Sequence, residues 1–225
     1  MYEFLRGPMV CIAFLVCVLG LLYQFISLLR LTSVKEHIFY SSKAKKKNRN
    51  LLSEESLSNL SIKIKGTILG TEPFVVILTT LFHICIIITP LFLMGHNILM
   101  YESWSFSLYS FSESFTDFLT LLFLVCAAIF LLRRIFIARV RAVTGIYDLI
   151  LLLITIAPFL TGYMAYHQLI NYETIITIHI LVGEIMLMAI GLTKLGHAVF
   201  FFFARLLIGS EYSFSGGSRA WKLKI

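Results

Sequence analysis

Charged residues are scarce in this chain, and so is proline. Asp, Glu, Lys and Arg make up 14% of the 225 residues, and only four residues are proline. Hydrophobic residues make up 59%, and the mean hydropathy is +0.90. A soluble domain of this length has no means of burying so much apolar surface. The composition therefore excludes an ordinary soluble domain and indicates a membrane protein.

Cysteine motifs are absent as well. No two cysteines have C-x-x-C spacing, and all four lie within hydrophobic runs: Cys11, Cys17, Cys85 and Cys126. We interpret them as small apolar residues, which argues against a disulfide framework and against an iron–sulfur site.

The net charge of the chain is +7. Its charged residues lie between hydrophobic runs and form no basic stripe with interleaved aromatic residues. We therefore expect no nucleic-acid partner. Nor does the sequence contain a nucleotide-binding loop or a hydrolytic triad.

Five hydrophobic runs are candidates for membrane spans, each of which takes about 20 helical residues. The sequence therefore predicts an all-α membrane protein with five transmembrane helices, forming a single domain over residues 1–225. The predicted spans are Met9–Leu29, Phe74–Met94, Phe118–Leu132, Tyr147–Tyr166 and Ile175–Phe203.

Lysine and arginine are unevenly distributed between the predicted loops. Seventeen of them lie in the Arg30–Pro73 loop, in the connection between spans 3 and 4, and in the segment from Arg205 onward. On the other side only Arg6 is basic, and the Asn97–Thr116 and His167–Thr174 loops contain neither residue type. Because cytoplasmic loops carry the excess of lysine and arginine, the N-terminus is predicted outside and the C-terminus in the cytoplasm.

The Arg30–Pro73 loop contains a dense basic cluster, Lys43–Arg49. One interpretation is that the cluster only marks the cytoplasmic side of the membrane. The other is a docking surface for anionic lipid headgroups or for a soluble redox partner. The sequence leaves both interpretations open.

Four histidines lie in two of the most apolar runs: His83, His96, His179 and His197. An ionisable side chain inside a membrane span costs several kcal/mol unless it has a partner. Two neutral imidazoles that face each other across a helix bundle supply the axial ligands of a six-coordinate haem iron. If spans 2 and 5 are antiparallel, depth pairs His83 with His197 near the cytoplasm and His96 with His179 near the exterior. The pattern predicts two b-type haems stacked along the membrane normal.

Helix geometry relates the spacing of the histidines in each run to the directions of their rings. His179 and His197 are 18 residues apart, which is five whole turns, so a continuous helix would place both rings on one face roughly 27 Å apart. His83 and His96 are 13 residues apart, and on an ideal helix their directions diverge by about 220°. Pro90 lies between them, and a proline kink or local unwinding is expected to redirect the second ring. Otherwise the two haems contact different flanks of span 2.

Two charged residues accompany the histidines of the fifth run. Lys194 precedes His197 by three residues on nearly the same face. It is expected either to pair with a haem propionate or to extend toward the cytoplasmic surface. Glu184 follows His179 by about a turn and a half. It is either a proton or quinone group near the exterior haem or a hydrogen-bonded structural acid.

Two other function classes are alternatives to haem binding. A transporter that uses histidine for metal ions or protons predicts polar residues between the histidines, whereas Ile84–Leu93 and Ile180–Leu192 are almost entirely apolar. A haem-free membrane anchor leaves the depth-matched histidines unexplained. The two remaining histidines, His37 and His167, fall in polar loops and are interpreted as solvated, with contact to an exterior partner as the alternative for His167.

Several motifs point to one family of cytochromes. They are Leu81-Phe82-His83, Gly95-His96, Arg133–Arg141 with Asp148, and His179 followed by Gly183, Lys194 and His197. Over spans 2 to 5 the chain resembles the dihaem cytochrome b (gamma) subunit of respiratory nitrate reductase. Along nearly its whole length it is similar to the cytochrome b subunits of transmembrane redox complexes of sulfate-reducing bacteria. That similarity lies in Met1–Leu5 with Gly7-Pro8, PLFLMGHNILMYESW and APFLTGYMAYHQ.

The resemblance implies a five-helix, two-haem electron-transfer subunit of a respiratory complex in the bacterial inner membrane. It implies a cytoplasmic iron–sulfur protein as one partner, and a periplasmic multihaem cytochrome c or a quinol as the other, with menaquinone as the candidate quinone. Its haem ligands correspond to His83, His96, His179 and His197, and Lys194 takes the place of a basic residue. Whether the chain performs a quinone reaction of its own stays open.

Overall fold

The computed structural model describes residues 4–33 and 72–200. Within these ranges every regular element is a helix, and five helices are long and apolar enough to cross a membrane. The predicted fold class is therefore confirmed, and the chain is a multi-pass membrane protein. Its orientation remains a prediction. His37, the Lys43–Arg49 cluster and the basic residues from Arg205 onward lie outside the described residues.

Seven α-helices are numbered here in chain order. A π-helical turn at Leu5–Met9 leads directly into the first of them. They are α1 (Val10–Ser33), α2 (Pro73–Phe92), α3 (Met94–Trp104), α4 (Glu113–Phe136), α5 (Ala138–Arg141), α6 (Ile146–Tyr166) and α7 (Tyr172–Leu192). A 3₁₀ turn at Lys194–Gly196 follows α7. The described residues form two compact units, one comprising residues 4–33 and 127–200 and the other residues 72–126.

Large apolar side chains remain exposed along the long helices. Leu15 is 58% exposed, Phe118 57% and Leu153 53%. In water such faces would be unstable, whereas in a bilayer they contact lipid chains. This exposure agrees with the membrane location that composition predicts.

The third span begins earlier than hydropathy indicates, at Glu113 instead of Phe118. The Ser112 carbonyl accepts hydrogen bonds from the amides of Phe115 and Thr116, at 3.0 and 3.1 Å. The first turn of α4 is therefore polar and helical. A hydropathy pattern detects apolar residues, so it misses a polar turn at the end of a span.

In the 72–126 unit, the second predicted span is interrupted close to Pro90. Helix α2 ends at Phe92, Leu93 adopts an extended conformation with ψ 128°, and α3 begins at Met94. The proline ring removes one helical hydrogen bond and crowds the preceding turn. The unwinding anticipated between the two histidines of this run is thus confirmed, and it places His96 on a separate helix from His83.

The expectation of a continuous fifth helix over Ile175–Phe203 is wrong within the part that the structure describes, which ends at Phe200. Helix α7 ends at Leu192, and Thr193 is extended with φ −126° and ψ 179°. The Gln24 side chain of α1 donates hydrogen bonds to the carbonyls of Gly191 and Thr193, at 2.6 and 3.2 Å. Thr193 in turn accepts the Leu195 amide and caps the 3₁₀ turn. His179 and His197 therefore do not share one helix face, and their 18-residue spacing does not set the directions of their rings.

The 4–33 and 127–200 unit is built around α7, which packs against α1 and α6. Gly20 of α1 and Gly191 of α7 meet at the closest point of the first contact. A Cβ atom on Gly191 would lie 2.7 Å from the Cα atom of Cys17. Small residues allow membrane helices to approach each other this closely.

We expect Gly191→Ala to destabilise this unit by about 1–3 kcal/mol, because the added methyl group meets backbone atoms that have no room to move. Thermal unfolding of the detergent-solubilised protein measures the effect. Gly183→Ala is the matched control on the same helix, because a Cβ atom there would meet nothing within 4 Å. Equal melting temperatures for both variants would contradict the close α1–α7 contact.

Candidate functional site

His179 lies in the first half of α7 and is held by α6. Its Nδ1 atom lies 2.9 Å from the Pro158 carbonyl oxygen and 3.2 Å from the Thr161 hydroxyl. The ring lies over Gly162, where a Cβ atom would approach Cε1 to 3.0 Å. The glycine therefore makes room for the imidazole, and the Pro158 carbonyl orients it.

His83 and His96 belong to the 72–126 unit, and each ring is hydrogen-bonded to a backbone carbonyl of α2. His83 Nδ1 lies 2.7 Å from the Thr79 carbonyl oxygen, one turn earlier. His96 Nδ1 lies 2.9 Å from the Pro90 carbonyl oxygen. The latter is one of the last carbonyls of α2, which have no partner within the helix. The imidazole N–H and the free carbonyl at the helix end thus satisfy each other's hydrogen-bonding requirement.

His197 follows the 3₁₀ turn directly and is exposed. Its Nδ1 atom lies 2.7 Å from the Lys194 carbonyl oxygen, within the same turn. The ring direction is therefore set by the backbone of this turn. This local geometry replaces the continuous helix expected from the sequence.

All four candidate ligands share one arrangement, a hydrogen bond from Nδ1 to a backbone carbonyl. A carbonyl oxygen only accepts, so each Nδ1 must carry the proton. In a neutral imidazole the lone pair then lies on Nε2, the nitrogen that can bind a metal. A backbone carbonyl on the other ring nitrogen is the usual outer partner of a metal-binding histidine. His167 has a different setting, with its ring centroid 4.3 Å from that of Tyr163 and 5.0 Å from that of Tyr166.

The four rings fit the ligand requirements of b-type haem. Two histidine nitrogens would complete the six-coordinate shell of a haem iron, because the porphyrin supplies the other four nitrogens. Burial lowers the pKa of the His96 imidazole, and its hydrogen bond to Pro90 opposes that shift in part. Burial thus favours the neutral ring, which is the form that can bind an iron. Within residues 4–33 and 72–200, no three or more His, Cys, Asp or Glu side chains form a group that could hold a metal ion.

The candidate ligands are divided between the two compact units. His83 and His96 lie in the 72–126 unit, while His179, His197 and Lys194 lie in the other. Within each unit the two histidines stand on either side of a helix break. The haem pairing remains a prediction from span order.

Lys194 contacts a carboxylate, which the sequence interpretation did not anticipate. Its ammonium forms an ion pair with Asp148 in the first turn of α6 and lies 5.0 Å from the centre of the Tyr147 ring. Arg134 donates a hydrogen bond to the Asp148 carbonyl, at 2.8 Å. The Lys194 side chain is more than half exposed, so the pair adds little to stability. The Lys194 ammonium belongs to a residue three positions before His197 in the chain.

Buried polar side chains fall into two groups in the described residues. Asn97 is 3% exposed and fully engaged, donating to the Leu91 and Leu93 carbonyls at 3.2 and 3.3 Å and accepting the Leu108 amide at 2.9 Å. Glu184 is also 3% exposed, yet neither carboxyl oxygen has a hydrogen-bond partner within residues 4–33 and 72–200. Asn97 thus stabilises the break between α2 and α3, while Glu184 lacks such a structural role.

Comparison with known proteins finds a relative that is similar over nearly the whole chain. The chain is 33% identical to a protein of Nitratidesulfovibrio vulgaris (strain Hildenborough) over an alignment of 232 residues, which covers 96% of each chain. The chain belongs to the same family as that protein. The match gives an organism and no activity. No family model matches the chain, and no solved structure matches it.

Sequence reasoning missed the carbonyl partners, the Gln24 contact and the Asp148–Lys194 pair. Each of these contacts depends on hydrogen bonds or charges, which a hydropathy pattern does not detect. One signal was available, because Asp148 is the acidic residue of the first turn of α6 and Lys194 follows the end of antiparallel α7. Opposite charges at the same end of two neighbouring helices are candidates for a pair.

We expect Asn97→Ala to destabilise the α2–α3 break by about 1–3 kcal/mol, because it leaves the Leu108 amide and the Leu91 carbonyl without this partner in a buried setting. Hydrogen exchange by mass spectrometry measures the effect, as faster exchange at Leu108. The Thr174 amide, which Asn171 caps in the other unit, is the internal control. Unchanged exchange at Leu108 would contradict this role of Asn97.

Proposed function

We propose that this protein is a membrane cytochrome b subunit that binds two b-type haems and transfers electrons across the bacterial inner membrane. The observation that carries the proposal is the shared arrangement of four histidines in membrane-associated helices, each donating Nδ1–H to a backbone carbonyl. Such a hydrogen bond selects the tautomer and the orientation that an axial ligand needs. A structural histidine needs no such uniformity.

The chain's own groups orient each proposed ligand. The Pro158 carbonyl, the Thr161 hydroxyl and the space over Gly162 hold the ring of His179. The Pro90 carbonyl holds His96 at the end of α2. When bound, a haem would supply reversible one-electron redox chemistry between its ferric and ferrous states. The apolar side chains of the spans would exclude water and lower the local dielectric, which tunes the potential.

Span order supports the proposed ligand pairs. His83 and His197 are assigned to the haem nearer the cytoplasm, and His96 and His179 to the haem nearer the exterior. Two haems at different depths form a path for electrons between the two membrane surfaces. The orientation of this path comes from the positive-inside pattern of the sequence.

The proposed cytoplasmic partner is an iron–sulfur protein, and the exterior partner is a multihaem cytochrome c or a quinol such as menaquinol. The connection between α4 and α6 contains four arginines, namely Arg133, Arg134, Arg139 and Arg141. Of these, Arg134 is bound to the α6 backbone, while Arg139 and Arg141 are exposed. A basic surface of this kind suits an acidic partner, because opposite charges accelerate association.

The haem content of single-histidine variants tests the proposal. We expect two haems per chain and a b-type band in the reduced-minus-oxidised spectrum of the purified protein. His179→Ala and His96→Ala should each remove the exterior haem and keep the other, because each removes one of its two ligands. His83→Ala should remove the cytoplasmic haem instead.

His167→Ala is the control, since this ring contacts Tyr163 and Tyr166, and it should keep both haems. A wild-type protein without a b-type band would contradict the function itself. Loss of both haems from every single variant, with the protein still inserted, would contradict the pairing alone.

Charge changes at the Lys194–Asp148 pair should shift the potential of the His197-ligated haem in opposite directions. Lys194→Leu leaves the carboxylate uncompensated, which favours the ferric form and lowers the potential. Asp148→Asn leaves the ammonium uncompensated and raises it. Redox titration measures both shifts, and Lys194→Arg, which keeps the charge, is the control. Larger shifts at the other haem would contradict the assignment of Lys194.

A further inference from the structure

Glu184 combines burial, charge and the lack of a partner in the middle of a membrane span. It is the thirteenth of the 21 residues of α7. It is 3% exposed, and both carboxyl oxygens lack a hydrogen-bond partner in the described part of the chain. An unpaired carboxylate in such a place is costly, so the neutral acid is the stable form when no positive charge is near.

Among the described residues, α7 packs against α6, α1, the π-helical turn at Leu5–Met9 and the 3₁₀ turn at Lys194–Gly196. The 3₁₀ turn carries Lys194, ten residues after Glu184 and paired with Asp148. Antiparallel α6 presents no ionisable residue between Leu149 and Gly162, the stretch opposite Glu184. On parallel α1, the nearby ionisable groups are the exposed thiol of Cys11 and the buried thiol of Cys17. The π-helical turn before α1 carries Arg6, which is exposed.

On its own helix, the nearest ionisable residue to Glu184 is His179, five residues earlier. That separation corresponds to about 7.5 Å along the helix axis. In the proposed function, His179 binds a haem iron, and the charge of that haem is the one that can change near Glu184. A ferric haem carries one more positive charge than a ferrous haem, and the low dielectric of the span strengthens its effect.

We propose that Glu184 is a proton-binding site coupled to the redox state of the haem ligated by His179, an inference that rests on the proposed function. When that iron gains one electron from a redox partner of the proposed kind, a quinol, a multihaem cytochrome c or an iron–sulfur protein, the Glu184 carboxylate takes up one proton from water and becomes the neutral acid. When the iron loses the electron, the acid releases the proton to water. No covalent bond other than the O–H bond forms or breaks, and charge is conserved in both directions.

The sign of the pH dependence follows from this coupling. Reduction consumes a proton, so a higher pH disfavours reduction and lowers the potential of the haem on His179. A tenfold change in proton concentration is equivalent to at most 59 mV for a one-electron couple. The other haem should have a flatter pH dependence, because Glu184 lies farther from its proposed ligands in sequence.

Redox titrations of the full chain in lipid nanodiscs, at a series of pH values around neutrality, test the proposal. In the wild type, we expect the potential of the exterior haem to fall with rising pH. In Glu184→Gln this slope should be lost while both haems remain. Glu173→Gln is the matched control, because Glu173 lies six residues before His179 on the same helix and is exposed; it should keep the slope.

Infrared difference spectra between the oxidised and reduced states give a second readout. A carboxylic acid C=O band that appears on reduction of the wild type and is lost in Glu184→Gln and Glu184→Leu would support the proposal. The wild-type spectrum alone tests it if neither variant folds, since a missing acid band would overturn it.

The possible failures are distinguishable. A wild type that binds two haems with a pH-independent exterior potential, or a slope that persists in Glu184→Gln, overturns the role of Glu184 and leaves the cytochrome function intact. A wild type without haem overturns the function on which the inference rests.

Discussion

The hydrocarbon interior of a membrane offers no hydrogen-bond partners, and the rest of this structure depends on that constraint. Each backbone N–H and C=O group must be satisfied within the protein. A continuous helix does this by itself, but two of the predicted spans are broken. After α2, His96 and Asn97 bind the terminal carbonyls. After α7, Gln24 binds the Gly191 carbonyl and Thr193 caps the next turn.

The same constraint explains how the candidate ligands are oriented. A carbonyl left over at a helix end, or presented by a neighbouring helix, is a strong acceptor in an apolar setting. His96 uses the Pro90 carbonyl at the end of α2, His197 uses the turn after α7, and His179 uses the Pro158 carbonyl of α6. One hydrogen bond thereby does two things. It gives the backbone carbonyl a donor, and it fixes the tautomer that a metal-binding imidazole requires.

Two arrangements of ionisable side chains occur in and beside the spans, one with a charged partner and one without a hydrogen-bond partner among the described residues. Lys194 and Asp148 lie at helix ends and neutralise each other where the pair is partly exposed. Glu184 lies in the middle of α7 without a hydrogen-bond partner among the described residues. The first arrangement holds local charge constant, whereas the second leaves a charge that depends on the surroundings.

The sequence by itself determined that the chain has five spans and which histidines are the candidate ligands. Hydropathy and the cost of burying an ionisable group belong to individual residues and short runs, and they need no knowledge of packing. The interruption near Pro90 was foreseeable for the same reason, because the proline acts on its own turn.

Only the tertiary structure decided where α7 ends and what holds each ring. Gln24 is separated from Gly191 by 167 residues, Asp148 from Lys194 by 46, and His179 from Pro158 by 21. Such contacts exist because the helices pack at one particular register and distance, which the close approach of Gly20 and Gly191 permits. Residue spacing along one helix carries no information about that register. The 18-residue spacing of His179 and His197 therefore gave a wrong prediction. The Gln24 side chain of α1 binds carbonyls at the end of α7, where the sequence predicted that the helix continues.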